Sequence, residues 1–64
     1  MPRALYPSLE YQGEVQQRVA AACPEAPTLT VAEMQALDNC WRGGLYAERT
    51  AKVIVRARER RAVA

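Results

Sequence analysis

The chain of 64 residues lacks histidine and phenylalanine, and it contains a single serine and a single aspartate. Nucleophilic or acid–base catalysis needs a nucleophile and a base within hydrogen-bond reach of each other. Ser8 is placed to cap a helix, and Glu10 and Glu14, one helical turn apart, fit a solvated helix face better than a catalytic pair. We therefore predict no catalytic residues and a protein that is not an enzyme.

Ligand-type residues for metals and cofactors are equally scarce. The only two cysteines, Cys23 and Cys40, have no ligand-type neighbours that would complete a zinc site of cysteine and histidine. The pair Gly43-Gly44 lacks the Lys-Ser/Thr that follows the glycines of a phosphate-binding loop. We expect no metal and no cofactor. The helical pattern described below places the two cysteines toward opposite ends of a hairpin, which predicts free thiols rather than a disulfide.

No apolar run is long enough for a signal peptide or a membrane span. Together with free thiols, this predicts a cytoplasmic protein with no membrane partner. At this length a chain forms one domain at most and buries only about 60% of its unfolded surface. We expect a single domain over residues 1–64 with an extended N-terminal arm over residues 1–7. Its thin core favours a homodimer.

Three helical patterns follow the arm. Ser8 is a candidate N-cap for a helix over about 9–22, and Pro24 ends that helix. The apolar stripe of this helix is Tyr11, Val15, Val19 and Ala22.

A capping box of Thr30 and Glu33 predicts the start of a second helix over 31–42. The predicted core positions of this helix are Met34, Leu37 and Trp41. Gly43 and Gly44 are the predicted C-cap and hinge.

A third helix is predicted over about 46–61, with Ile54 at the centre of an alanine-rich inner face. Arg58 and Arg61 occupy the positions that would continue this face, so we expect the last turns to leave the core. The fold class is therefore all-α, a small domain of two to three helices.

Charge is unevenly distributed along the chain. Residues 1–32 carry two cations against three anions, whereas residues 33–64 carry seven against four. A basic end on a balanced chain indicates an acidic partner. The candidate partner-binding residues are Tyr46, Arg49, Lys52, Arg56, Arg58, Arg60 and Arg61.

Two functions fit this pattern. The first is a small regulatory or inhibitory protein that occupies a protein or ribonucleoprotein partner with an acidic surface. The alternative is a nucleic-acid-binding protein that uses the basic C-terminal helix. Residues 31–55 partly match a helix-turn-helix, with Gly44 in the turn and Val53 pointing inward, although Asn39 and Gly43 stand where apolar residues are usual.

A family resemblance bears on the same choice. Tyr11-Gln12, Val15, Arg18 and Cys23-Pro24, followed by Trp41 with Gly43-Gly44, resemble the pattern of ribosome modulation factor over residues 11–47. The chain departs from that pattern in a longer segment between Pro24 and Trp41 and in its basic third helix. The resemblance implies a cytosolic protein that binds ribosomal RNA and ribosomal protein surfaces, with Arg18 and Arg42 as the matched basic residues.

Overall fold

A computed structural model describes residues 4–63 of the chain and contains three α-helices within that range. Helix α1 spans Leu9–Ala22, α2 spans Val31–Arg42 and α3 spans Ala47–Val63. No strand occurs among these residues. The predicted all-α fold and the three helices are therefore confirmed, and α3 begins one residue later and ends two residues later than predicted.

The predicted N-terminal caps are both present. The Ser8 hydroxyl accepts a hydrogen bond from the backbone N–H of Tyr11 at 3.1 Å. The Thr30 hydroxyl accepts from the N–H of Glu33 at 3.2 Å, and the Glu33 carboxylate accepts from the N–H of Thr30 at 2.8 Å. Such bonds satisfy N–H groups that have no partner inside the helix, which fixes where α1 and α2 begin.

Helix α3 lies at the centre of the packing. It contacts α1 most extensively and α2 less, while direct contact between α1 and α2 is slight. The buried side chains of the helices come from all three: Tyr11, Val15, Val19, Glu33, Leu37, Ala47, Thr50, Ala51 and Ile54. The small inner side chains of α3 allow α1 to approach closely, so one helix face serves as the core for two neighbours.

The predicted stripes need correction in two helices. Met34, assigned to the core, is 52% exposed, and Ala22 at the end of the α1 stripe is also exposed. In α2 the buried positions are Glu33 and Leu37, which lie one turn apart. The buried side of α2 is therefore rotated about the helix axis from the predicted one. The apolar pattern did not predict this rotation because a charged residue, Glu33, occupies one of the buried positions.

The α2–α3 corner is held by two aromatic side chains. The rings of Tyr11 and Trp41 meet edge to face with centroids 4.8 Å apart. The Tyr11 hydroxyl donates to the carbonyl oxygen of Leu45 at 3.0 Å and also pairs with the buried hydroxyl of Thr50. Trp41 is half-buried at this corner, and Leu37 and Ile54 are buried as predicted.

The N-terminal arm contacts the same corner. The indole N–H of Trp41 donates to the carbonyl oxygen of Ala4 at 2.7 Å. Pro7 is buried, whereas Leu5 and Tyr6 point outward and are 67% and 73% exposed. The first three residues of the predicted arm lie outside the described residues.

The two glycines of the hinge have different roles. Gly43 has ordinary right-handed helical angles, with φ at −78°, and its N–H donates to Asn39. Only Gly44 adopts a positive φ, at 83°, in the region that other residues rarely enter. Gly44 is thus the position where the chain turns from α2 into α3.

Candidate macromolecule-binding face

One side of α3 is left uncovered by the other two helices. We call it the α3 outer face and define it by six exposed residues: Tyr46, Arg49, Lys52, Val53, Arg56 and Arg60. Tyr46 immediately precedes α3, and the other five residues belong to the helix. Successive residues of an α-helix are rotated by about 100°, which places these five side chains opposite Ala47, Ala51 and Ile54 of the core. The face exists because the core side of α3 already packs against both neighbours.

Cations dominate the α3 outer face. Lys52 lies 3.7 Å from Glu48, but both side chains are more than 60% exposed, so this pair contributes little to stability. Arg49, Arg56 and Arg60 form no ion pair within the described part of the chain. Three guanidinium groups are therefore available to an anionic partner without loss of an internal contact.

Apolar surface on this face is limited to two side chains. Tyr46 is 79% exposed and Val53 is 44% exposed. They help to surround a shallow depression of about 530 Å³, together with Glu48, Arg49, Lys52 and Arg56. The helix-turn-helix match required Val53 to point inward, so that detail is wrong.

Arg58 was predicted to bind a partner, but the structure shows it bound within the fold. Its Nε donates to Glu33 Oε2 at 2.7 Å and its Nη2 donates to Glu33 Oε1 at 2.9 Å. The other donors reach the carbonyl oxygens of Ala26 at 2.6 Å and Thr28 at 3.1 Å. Arg58 thus joins α3 to the start of α2 and to the connector before it, and it is not part of the α3 outer face.

The Glu33–Arg58 pair is the most perturbed electrostatic site among the described residues. The side chains are 4% and 16% exposed, respectively. Hydrogen bonds from Arg58, reinforced by the N–H of Thr30, lower the pKa of Glu33 to about 2 despite its burial. The same carboxylate raises the pKa of Arg58 above its ordinary value. Both groups are therefore charged at neutral pH, and their bonds are directed into the molecule.

Arg61 is exposed, but it lies seven residues after Ile54 and so shares the core side of α3 beyond the point where the core ends. It is therefore separated from Arg56 and Arg60 around the helix. The two basic residues matched by the family resemblance lie on other helices. Arg18 of α1 lies 3.9 Å from Glu14, and Arg42 of α2 donates to Asn39 at 3.3 Å.

Neither cysteine forms a disulfide, and both are half-buried. The described residues contain no group of three or more histidine, cysteine, aspartate or glutamate side chains arranged to hold a metal ion. Across residues 4–63, none of the helices combines the length and apolar character needed to cross a membrane.

Comparisons with protein-family models, with curated proteins and with solved structures found no match to this chain. The resemblance to ribosome modulation factor therefore stays a prediction from the sequence pattern.

The sequence pattern missed the contact between Glu33 and Arg58, although a signal for it was present. Arg58 follows Ile54 by four residues and Ala51 by seven, which places it in line with the core face. Glu33 precedes Leu37 by four residues and stands in line with the core of α2. A charged residue in line with a core face on each of two helices indicates an internal ion pair, because an unpaired buried charge is costly.

Proposed function

We propose that this protein is a non-enzymatic regulatory or inhibitory protein of the cytoplasm that acts by occupying a macromolecular partner. The partner is a protein or ribonucleoprotein with an acidic surface, and the α3 outer face is the surface that contacts it. The observation that carries the proposal is the row of unpaired cations on a helix face that the fold leaves open.

The internal pairing of Arg58 supports this proposal. Among the arginines that follow residue 55, the one that points inward has a buried carboxylate partner, whereas Arg56 and Arg60 have none in the described part of the chain. A basic helix end that served only for solubility would not need one arginine to pair internally while the others stay exposed. The internal pair keeps α3 anchored to α2, and the opposite side of α3 stays open to an anion.

The arrangement of polar groups also favours binding over catalysis. The buried side-chain nitrogen and oxygen atoms of the described residues all have hydrogen-bond partners. The one strongly perturbed carboxylate among the described residues, Glu33, is engaged by Arg58 and by the N–H of Thr30. Such a group stabilises the fold and is not available to a substrate.

The test is affinity capture from cell lysate with three forms of the full chain. The first is the wild type, and the second is the face variant R49Q/R56Q/R60Q. The third is a matched control, R18Q/R42Q/R61Q, which removes the same number of charges from positions off the α3 outer face. Glutamine is a good helix former, so both variants should keep their helices.

We expect the wild type and the matched control to capture the same partner and the face variant to lose it. Nuclease treatment of the lysate shows whether nucleic acid forms part of that partner. Equal capture by the wild type and the face variant would contradict the proposal. Loss with the matched control alone would instead point to Arg18 and Arg42, the residues matched to ribosome modulation factor.

A further inference from the structure

The chemistry of the α3 outer face narrows the class of partner. The face presents four cations, and Tyr46 and Val53 are its two apolar side chains. Arginine and aromatic side chains are enriched in protein interfaces, but those interfaces are slightly more than half apolar by area and their centres are depleted in charged residues. A face of four cations with one apolar side chain at its end and one in its row lacks the wide apolar centre that a protein partner would bury.

Spacing along the helix fits a different kind of anion. Arg49 and Arg60 are separated by eleven residues, which corresponds to about 16 Å along the axis of α3. A nucleic-acid duplex carries one phosphate charge for about every 1.7 Å of its axis. The row of cations therefore matches a continuous line of negative charge better than the isolated carboxylates of a protein surface.

A double helix fits this face better than a single strand does. Sites for single strands combine a basic groove with several aromatic side chains on which successive bases stack. The α3 outer face has one exposed aromatic residue, Tyr46, and it stands at one end of the row. An α-helix about 10–12 Å wide with cations along one side is instead suited to lie against the backbone or within a groove of a duplex.

Few opposing charges lie near this row. Glu48 and Glu59 flank it on one side only, and Glu48 pairs with Lys52. Glu33, the buried carboxylate, is turned inward by Arg58. Contacts from these cations to phosphates would carry no sequence information directly.

From these observations we propose that the α3 outer face binds the phosphate backbone of double-helical nucleic acid, largely without regard to base sequence. This inference rests on the proposed function, because it concerns the same face and takes the nucleic-acid component of such a partner, rather than an acidic protein, as what the face contacts. It does not depend on the helix-turn-helix match.

The experiment measures fluorescence anisotropy with a labelled 16-base-pair DNA duplex, an RNA duplex of the same sequence and the corresponding single strands. Unlabelled poly-glutamate serves as the acidic polypeptide competitor. The proteins are the wild type, the face variant R49Q/R56Q/R60Q and the matched control R18Q/R42Q/R61Q, which has the same net charge as the face variant. Circular dichroism first establishes that the three chains have the same helix content.

With four phosphate contacts on a DNA duplex, the affinity should fall with salt with a log–log slope of about −3.6, which is about 150-fold between 50 and 200 mM. The face variant should weaken duplex binding by at least about 30-fold at 50 mM salt and bring the slope to about −1. The matched control should stay within about threefold of the wild type. Binding of the DNA duplex, the RNA duplex or both in this manner supports the inference and identifies the source of the phosphates.

Three results would overturn the inference. One is equal weakening by the face variant and the matched control, which would show an effect of net charge alone. Another is binding of single strands as tightly as duplexes. The third is poly-glutamate binding that is tighter than duplex binding and is lost in the face variant; this outcome leaves the proposed function intact with an acidic protein as partner. If the face variant binds every probe as the wild type does, the proposed function fails as well.

Discussion

Removing the charge of Glu33 tests how α3 is attached to the rest of the molecule. The substitution E33Q keeps the size of the side chain but replaces one carboxylate oxygen with an NH2 group. The guanidinium of Arg58 has only hydrogen-bond donors, so it cannot accept a bond from this group. The Nε and Nη2 bonds of 2.7 and 2.9 Å both end on the carboxylate that this change removes. We expect a large loss of stability from one exchange of nearly equal volume.

The magnitude follows from the pKa of Glu33, which is lowered from 4.5 to about 2. Each pKa unit corresponds to about 1.36 kcal/mol, so ionisation of Glu33 contributes about 3 kcal/mol to the free energy of unfolding at neutral pH. A domain of this length has a total stability of only about 3–10 kcal/mol. E33Q should therefore remove at least about a third of the stability of the domain.

The sign of the pH dependence is fixed by the same shift. Because the folded-state pKa is lower than the unfolded one, the contribution is complete above about pH 5 and is lost as the pH falls toward 2. The difference in unfolding free energy between the wild type and E33Q should fall from about 3 kcal/mol at pH 7 to roughly 1.5 kcal/mol at pH 3. The other carboxylates contribute the same pH dependence to both proteins, so their contributions cancel in this difference.

The assay is urea unfolding followed by far-ultraviolet circular dichroism between pH 3 and pH 7. R58M and the double variant E33Q/R58M complete a double-mutant cycle, in which R58M should cost about 3–5 kcal/mol because it leaves the Glu33 carboxylate buried without its partner. A cost of E33Q below about 0.5 kcal/mol, or a difference that does not change with pH, would refute the reasoning.

Two further predictions concern the corner between α2 and α3. Y11F should lower the free energy of unfolding by about 1–3 kcal/mol, because the Tyr11 hydroxyl bonds both the Leu45 carbonyl and the buried Thr50 hydroxyl; an unchanged urea midpoint would count against this role. G44A should cost about 1–2 kcal/mol of unfolding free energy because Gly44 has a φ of 83°. G43A should stay within about 0.5 kcal/mol: its new Cβ would lie close to the carbonyl oxygen of Asn39, but alanine readily adopts the φ of −78° and has less freedom than glycine in the unfolded chain. Equal costs of the two substitutions in thermal unfolding would show that the glycines do not differ.

Local sequence signals were enough to locate the helices. The Ser8 cap and the Thr30–Glu33 capping box each act within a few residues, and they fixed two helix starts. Pro24 and the two glycines marked where the first two helices end. These features depend on neighbouring residues alone, so they can be recognised before any tertiary contact is known.

Contacts between helices were harder to predict from the sequence. Met34 was placed in the core from apolar spacing, yet it is exposed because α3 approaches the neighbouring side of α2, where Glu33 and Leu37 lie. Arg58 was grouped with the surface arginines because its partner is 25 residues away in the chain. Arg49, Lys52, Arg56 and Arg60 were identified from charge and sequence position, and the structure places them together on one open side of α3. Tyr46, identified as an exposed aromatic residue, stands just before the helix at the end of that side.

The most direct test of the account compares the arginine side chains of α3 as a DNA duplex is titrated into the protein. In a proton–nitrogen correlation spectrum of the Nε–Hε groups, the signals of Arg49, Arg56 and Arg60 should shift progressively with added duplex. The Arg58 signal should stay in place, because its Nε–H is donated to Glu33. Movement of the Arg58 signal with little change at Arg49, Arg56 and Arg60 would contradict the assignment of the α3 outer face.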